Sequence, residues 1–133
     1  MSKHSRVVEE VGERELDILQ VLWKLGGATV EDVRADLRAR GEELAYNTVQ
    51  TLLNRLEAKG MVRRQTVDRA HRYIARTKEQ TMVTGAIRRL TDRFFNGSIE
   101  AITVRLLQED LTPEQLEHIE SIIESHRAKR GKG

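Results

Sequence analysis

The first sixty residues carry apolar side chains at helical spacing, and glycines divide this pattern into three short helices. The first helix is predicted from about Glu13 to Leu25 and is stopped by Gly26-Gly27. The second is predicted from a capping box at Thr29-Val30-Glu31-Asp32 to about Arg40, next to Gly41. The predicted inward side chains are Leu16, Leu19, Val21, Leu22, Trp23 and Leu25 in the first helix, and Val30, Val33 and Leu37 in the second.

The third predicted helix, from Leu44 to Gly60, has two chemically different faces. Its apolar stripe is formed by Val49, Leu52, Leu53 and Leu56. The opposite face has donors and acceptors that suit the edges of base pairs in a major groove. We therefore predict these side chains to lie near bases: Asn47, Thr48, Gln50, Thr51 and, less centrally, Asn54. An ordinary amphipathic surface helix would show the same alternation, so the helix alone leaves both interpretations open.

A basic hairpin is predicted directly after this helix. Its arms are Met61–Val67 and His71–Arg76, and Asp68-Arg69-Ala70 forms the turn. Because the turn lacks the Asn-Gly pair of a tight hairpin, we expect a longer or looser tip. A polar helix followed by a basic hairpin is typical of a winged helix-turn-helix.

The remaining residues predict three further helices. The fourth extends from about Met82 to Phe94 and stops near Asn96-Gly97, and Ser98 can cap the fifth. Thr112-Pro113-Glu114-Gln115 is a strong start signal for the sixth helix. The inward residues expected on the sixth helix are Leu116, Ile119, Ile122 and Ile123.

A helical unit of about 50 residues rarely buries enough apolar surface to be stable alone. Its partner is either the first domain or the same unit of a second chain. We favour the second chain, since helix-turn-helix proteins usually bind as symmetric dimers. The predicted interface residues are Ile87, Leu90, Ile102, Leu106, Ile119 and Ile123.

These elements define a fold class that is mainly α with a small β-hairpin. The predicted domains are a winged helix-turn-helix over residues 1–77 and a three-helix dimerisation region over 78–127. A loosely ordered lead-in is expected over residues 1–11, and a basic disordered tail over 128–133.

The charge distribution is more informative than the net charge of +2. Residues 1–43 have seven Lys and Arg against ten acids, whereas residues 55–76 have seven against two. Positive charge is therefore concentrated behind the polar helix, where a phosphate backbone would lie. The candidate contacts to phosphate or the minor groove are Arg55, Arg63, Arg64, Arg69, His71 and Arg72.

No chemistry of an enzyme is visible in the sequence. There is no Cys, no Gly-rich phosphate loop and no carboxylate pair at a useful spacing. His118 and His126 lie eight residues apart, so we predict no metal site and no cofactor.

No apolar run is long enough for a membrane span or resembles a signal peptide, and we expect a soluble cytoplasmic protein without a membrane partner. Whether Arg88, Arg89 and Arg93 contact DNA or acids across a dimer stays open.

Two functions fit these features. The first is a dimeric, sequence-specific DNA-binding protein that reads bases with its third helix. The alternative is a winged-helix protein-interaction module without DNA binding. A protein-binding module would not need the basic wing or the acid-poor helix face, so the first is favoured.

With these residues in view, the chain resembles the BlaI/MecI/CopY family of bacterial transcriptional repressors, often called penicillinase repressors. The resemblance covers roughly Gly12 to His126. It rests on the segment Glu15–Trp23, on the segment Leu44–Gly60, and on Arg69-Ala70-His71-Arg72-Tyr73. The Asn96-Gly97 pair and the segment Leu111–Leu116 match less sharply.

The resemblance implies a homodimer that binds a palindromic operator and blocks transcription. In well-known members of the family, a membrane sensor with a metalloprotease domain responds to β-lactam, and the repressor is then cut at an Asn-Phe bond. The aligned residues here are Arg105-Leu106, so this chain departs from that pattern. The copper-responsive branch uses Cys pairs, which this chain lacks. The resemblance thus leaves the operator, the target genes and the inducing signal open.

Overall fold

The protein folds as six helices and one hairpin within the part of the chain that the structure describes, residues 11–131 of a computed structural model. The predicted fold class is confirmed. The expected lead-in lies almost wholly outside the described residues. The elements are α1 (Glu13–Leu25), α2 (Val30–Ala39), α3 (Tyr46–Ala58), β1 (Val62–Val67), β2 (Ala70–Ala75), α4 (Glu79–Phe95), α5 (Ile99–Leu107) and α6 (Pro113–Gly131).

Three predicted helix starts are confirmed by their capping hydrogen bonds, whereas the fourth helix begins at Glu79, three residues before the predicted Met82. The Asp32 backbone N–H donates to Thr29 Oγ1 at 3.1 Å, and the Thr29 N–H donates to Asp32 Oδ2 at 3.1 Å. The same reciprocal pair joins Thr112 and Gln115 at 2.8 and 3.1 Å. Ser98 accepts from the Ala101 N–H at 3.0 Å. Each cap satisfies donors that the first helical turn leaves unpaired, so short polar residues fix where the helices begin.

One apolar core lies between α1, α2, α3 and the hairpin. The fully buried side chains include Ile18, Leu19, Val21, Leu22, Val33, Leu37, Val49, Leu53, Leu56 and Tyr73.

Two residues that were predicted to lie in the core are instead exposed: Leu16 is 37% and Leu25 is 45% exposed. Leu25 is the last residue of α1, beyond the packed turns. Leu16 lies off the face of Ile18 and Leu22, and with Trp23 and Met82 it lines an apolar groove of 240 Å³ between α1 and the start of α4.

The hairpin is tighter than the sequence predicted. Val67 pairs with Ala70, so only Asp68 and Arg69 form the turn. Both have left-handed backbones, with φ of 50° and 68°. That is the geometry of a type I′ turn, whose twist matches that of the strands. The expectation of a longer or looser tip is therefore wrong, because Asp and Arg adopt here the conformations that Asn-Gly usually supplies.

The strained turn gives a stability prediction. A non-glycine residue in the left-handed region costs about 1–2 kcal/mol, so Arg69→Gly should raise the free energy of unfolding by about 1 kcal/mol. The matched control is Arg63→Gly, inside β1, which should lower it because glycine weakens a strand. Urea denaturation measures both. A lower stability for Arg69→Gly would contradict the assigned turn geometry.

A third strand-like segment pairs with the hairpin. The Ala28 N–H donates to the Tyr73 carbonyl at 3.0 Å, and the Tyr73 N–H donates to the Ala28 carbonyl at 2.8 Å. Gly27 has φ of 122°, and a Cβ there would lie 3.2 Å from Arg72 Nη2. From the sequence, Gly26-Gly27 was predicted only to end the first helix. The structure shows that Gly27 also permits the close approach of β2.

The described residues divide into two compact units, the first ending at Arg89 and the second beginning at Leu90. The division falls within α4, whereas the sequence placed a boundary after residue 77; the functional domains stay a prediction. In the single chain α5 and α6 have no buried residue. The side chains expected to be inward on α6 therefore stand exposed or half-buried: Leu116, Ile119, Ile122 and Ile123.

The C-terminal end differs from the prediction of a disordered tail over residues 128–133. Helix α6 continues through Gly131, and Lys132 and Gly133 lie outside the described residues. The basic residues Lys129 and Arg130 in its last turn interact favourably with the negative end of the helix dipole. No helix in the described range is both long and apolar enough to cross a bilayer.

Candidate nucleic-acid interface

The exposed face of α3 is polar, as predicted. Its apolar stripe is buried in the core, which fixes the helix and turns the opposite side chains outward. The first turn has no acidic residue, so the positive end of the helix dipole is not neutralised there. The exposed predicted base contacts are Asn47, Thr48, Thr51 and Asn54, and Arg55 is exposed beside them.

Gln50 differs from the other predicted base contacts because it is half-buried. Its Nε2 donates to Tyr73 Oη in β2 at 2.7 Å and to Asn54 Oδ1 at 3.0 Å. The amide therefore joins the third helix to the wing. The sequence did not single out Tyr73, although an aromatic residue in a short basic strand was a visible signal.

Three predicted phosphate contacts are positioned to meet a polyanion. Arg55, Arg63 and Arg69 are exposed and form no ion pair with the described residues. Arg69 stands at the tip of the wing, and Arg63 lies on β1. Because these cations are not neutralised within the described chain, their charge is available to DNA phosphates.

The other predicted phosphate contacts already have partners. Arg64 Nη2 donates to Glu57 at 2.7 Å, and this hydrogen bond raises the pKa of Arg64 above its usual value. Arg72 Nη2 donates to the Gly27 carbonyl at 3.0 Å. His71 Nδ1 lies 3.3 Å from Thr66 Oγ1 on the exposed hairpin. Arg64 and Arg72 thus help to hold the wing, a role that sequence alone did not assign.

Two further contacts hold α3 in place. Lys59, at the end of α3, donates to the buried Glu15 of α1 at 2.7 Å. Arg34 Nε donates to the Leu44 carbonyl, just before α3, at 3.2 Å. Neither contact was predicted from the sequence. Glu15 could have been found from its spacing, because it lies three residues before Ile18 and four residues before Leu19. At this spacing its side chain shares the helix face of these two core residues.

The described residues contain no cluster of three or more His, Cys, Asp or Glu that could hold a metal ion. The remaining predicted site residues, those of the dimer interface, lie on α4, α5 and α6. The exposed residues are Ile87, Leu90, Leu106 and Ile123. The half-buried residues are Ile102 and Ile119.

Three helices, a paired hairpin and an exposed polar third helix define a winged-helix fold. A solved structure of a MarR family protein from Bacillus stearothermophilus has this fold, with a TM-score of 0.54 and 17% identity over 97% of this chain and 83% of that one. A family model described as penicillinase repressor matches residues 11–125. The chain therefore belongs to the penicillinase repressor family.

Two relatives illustrate this membership. The penicillinase repressor of Bacillus licheniformis is 23% identical over 92% of this chain and 96% of its own length. The transcriptional regulator BlaI of Mycobacterium tuberculosis is 34% identical over 74% of this chain and 72% of its own length. The protein is a DNA-binding transcriptional repressor and not an enzyme, and its family membership favours DNA binding over the alternative of a protein-interaction module.

Proposed function

We propose that this repressor acts as a homodimer on a palindromic operator. Helix α3 enters the major groove of each half-site, and the wing contacts the flanking backbone. The observation that carries the proposal is the joint exposure of the polar α3 face and of wing cations without ion-pair partners among the described residues. We also place the repressor in the cytoplasm, because the operator DNA that it binds lies there.

The residue roles follow from exposure and chemistry. Asn47, Thr48, Thr51 and Asn54 present short donors and acceptors that suit base edges. Arg55, Arg63 and Arg69 supply exposed positive charge for phosphates. Arg64, His71 and Arg72 support the wing and contact the backbone from positions that the fold already holds.

The dimer proposal rests on exposed apolar surface in the second unit. Leu106 is 60% and Phe94 is 76% exposed in the single chain, and the described part of α5 has no buried residue. Exposed apolar surface of this extent marks a site where the protein associates with another surface. A second copy of the same helices offers a matching apolar face, since symmetric interfaces are self-complementary.

Selection from a random-sequence DNA library tests the proposed function. The full-length protein should enrich an inverted repeat whose half-sites lie one helical turn, about 10 base pairs, apart or a multiple of it. The control is a set of duplexes of equal length and concentration that lack the inverted repeat. Enrichment of no sequence, or of a sequence without two-fold symmetry, would contradict the proposal.

We also propose that any cut by a sensor protease, the route that the family resemblance implies, requires α5 to open first. Arg105 and Leu106, aligned with the cut bond of the family, lie in the last turn of α5. A protease needs extended chain, which a helical turn does not offer. After β-lactam challenge of the native cell, blotting should show loss of the intact chain as repression ends. Derepression with undiminished full-length protein would contradict this route.

A further inference from the structure

The Gln50 amide has used both of its donors inside the protein. An amide NH₂ carries two hydrogens, and the carbonyl oxygen is an acceptor only. One hydrogen is directed to Tyr73 Oη at 2.7 Å and the other to Asn54 Oδ1 at 3.0 Å. Only Oε1 therefore remains for DNA. A glutamine in this state cannot form the bidentate pair with adenine, which needs a donor to N7 and an acceptor from N6.

Tyr73 is held firmly enough to impose this state. Its side chain is fully buried, and its backbone pairs with Ala28 on one side and with Arg64 on the other. The guanidinium of Arg64 lies 5.7 Å from the centre of the Tyr73 ring. The hydroxyl thus reaches Gln50 from a position fixed by the core and by the sheet rather than by a mobile loop.

We propose that Tyr73 is a specificity-determining positioning residue, whose hydroxyl fixes the Gln50 amide so that only its acceptor oxygen faces DNA. This inference rests on the proposed function, in which α3 reads the major groove. An acceptor matches any base that presents an amino group there, which adenine and cytosine both do. The wild-type repressor therefore accepts adenine and cytosine about equally at the base that Gln50 faces, and discriminates against guanine and thymine.

Removing the Tyr73 hydroxyl should change this preference in a defined direction. In Tyr73→Phe the ring and its packing stay, while one Nε2 hydrogen becomes free to donate to adenine N7. We expect adenine to gain about fivefold over cytosine at that one position, the worth of one net hydrogen bond. The affinity for random DNA should not change, because no phosphate contact is altered.

The experiment titrates full-length variants against operators substituted singly at every position of one half-site. Tyr73→Phe should shift the adenine-to-cytosine ratio at one position only, and Gln50→Ala should abolish discrimination at that same position. The double variant should match Gln50→Ala. Tyr46→Phe, which loses the other tyrosine hydroxyl of the chain, is the matched control and should leave the ratio unchanged.

An unchanged ratio in Tyr73→Phe, or a shift that persists in the Gln50→Ala background, would overturn the inference. If Tyr73→Phe fails to fold in a thermal melt, Asn54→Ala frees the other Nε2 hydrogen and should also favour adenine at the base that Gln50→Ala identifies. A loss of discrimination at a different base reports the proposed contact of Asn54 itself and is read separately. A wild-type protein that discriminates at no position refutes the proposed function instead, so the two failures are distinguishable.

Discussion

Leu106→Asp in the full-length protein should lower the affinity for a complete palindromic operator by about 10²- to 10⁴-fold. Leu106 is largely exposed in the single chain, so the change leaves the fold of one subunit intact. In a dimer it would place a charge in an apolar interface without a partner, which strongly disfavours association. Two separate winged helices then bind with half-site affinity alone. A hundredfold loss corresponds to about 2.7 kcal/mol.

Sedimentation and fluorescence anisotropy measure the two parts of this prediction. The variant should sediment as a monomer, bind the full operator weakly and bind an isolated half-site as the wild type does. Gln108→Asp is the matched control, because it adds the same charge two residues away at an exposed polar position. A dimeric Leu106→Asp with wild-type affinity would place the subunit interface elsewhere.

Asn47→Ala should cost about 1–3 kcal/mol on the operator, roughly 5- to 150-fold, and little on scrambled DNA. The side chain stands exposed in the first turn of α3 and forms no hydrogen bond with the described residues, so its amide is free to pair with a base. Specific and scrambled duplexes are titrated in parallel. Equal losses on both would contradict a base-reading role for Asn47.

Arg63 offers the complementary test, because a phosphate contact carries no sequence information. Arg63→Gln should weaken binding to both duplexes alike and reduce the slope of log affinity against log salt by about 0.9. Arg64→Gln is its neighbouring control. Its guanidinium is already paired with Glu57, so we expect a smaller change of slope. A larger change for Arg64 than for Arg63 would show that the ion pair opens on DNA.

Much of the fold could be predicted because it depends on local features. Helical spacing of Val49, Leu52 and Leu56 separated the buried face of α3 from its polar face. Caps at Thr29 and Thr112 marked helix starts, since the side chain bonds within its own first turn. The candidate site was predictable to the same degree, as a set of exposed polar and basic side chains on two neighbouring elements.

The sequence by itself determined the order and type of the elements, the buried stripe of α3 and the concentration of positive charge behind it. Only the tertiary structure decided which side chains are free. Tyr73 meets Gln50 across 23 positions of sequence, and Arg72 meets Gly27 across 45. Such contacts depend on how elements pack, and no local pattern encodes them. The tight turn at Asp68 was likewise decided by the pairing of the whole hairpin, which holds two residues in conformations that their own preferences disfavour.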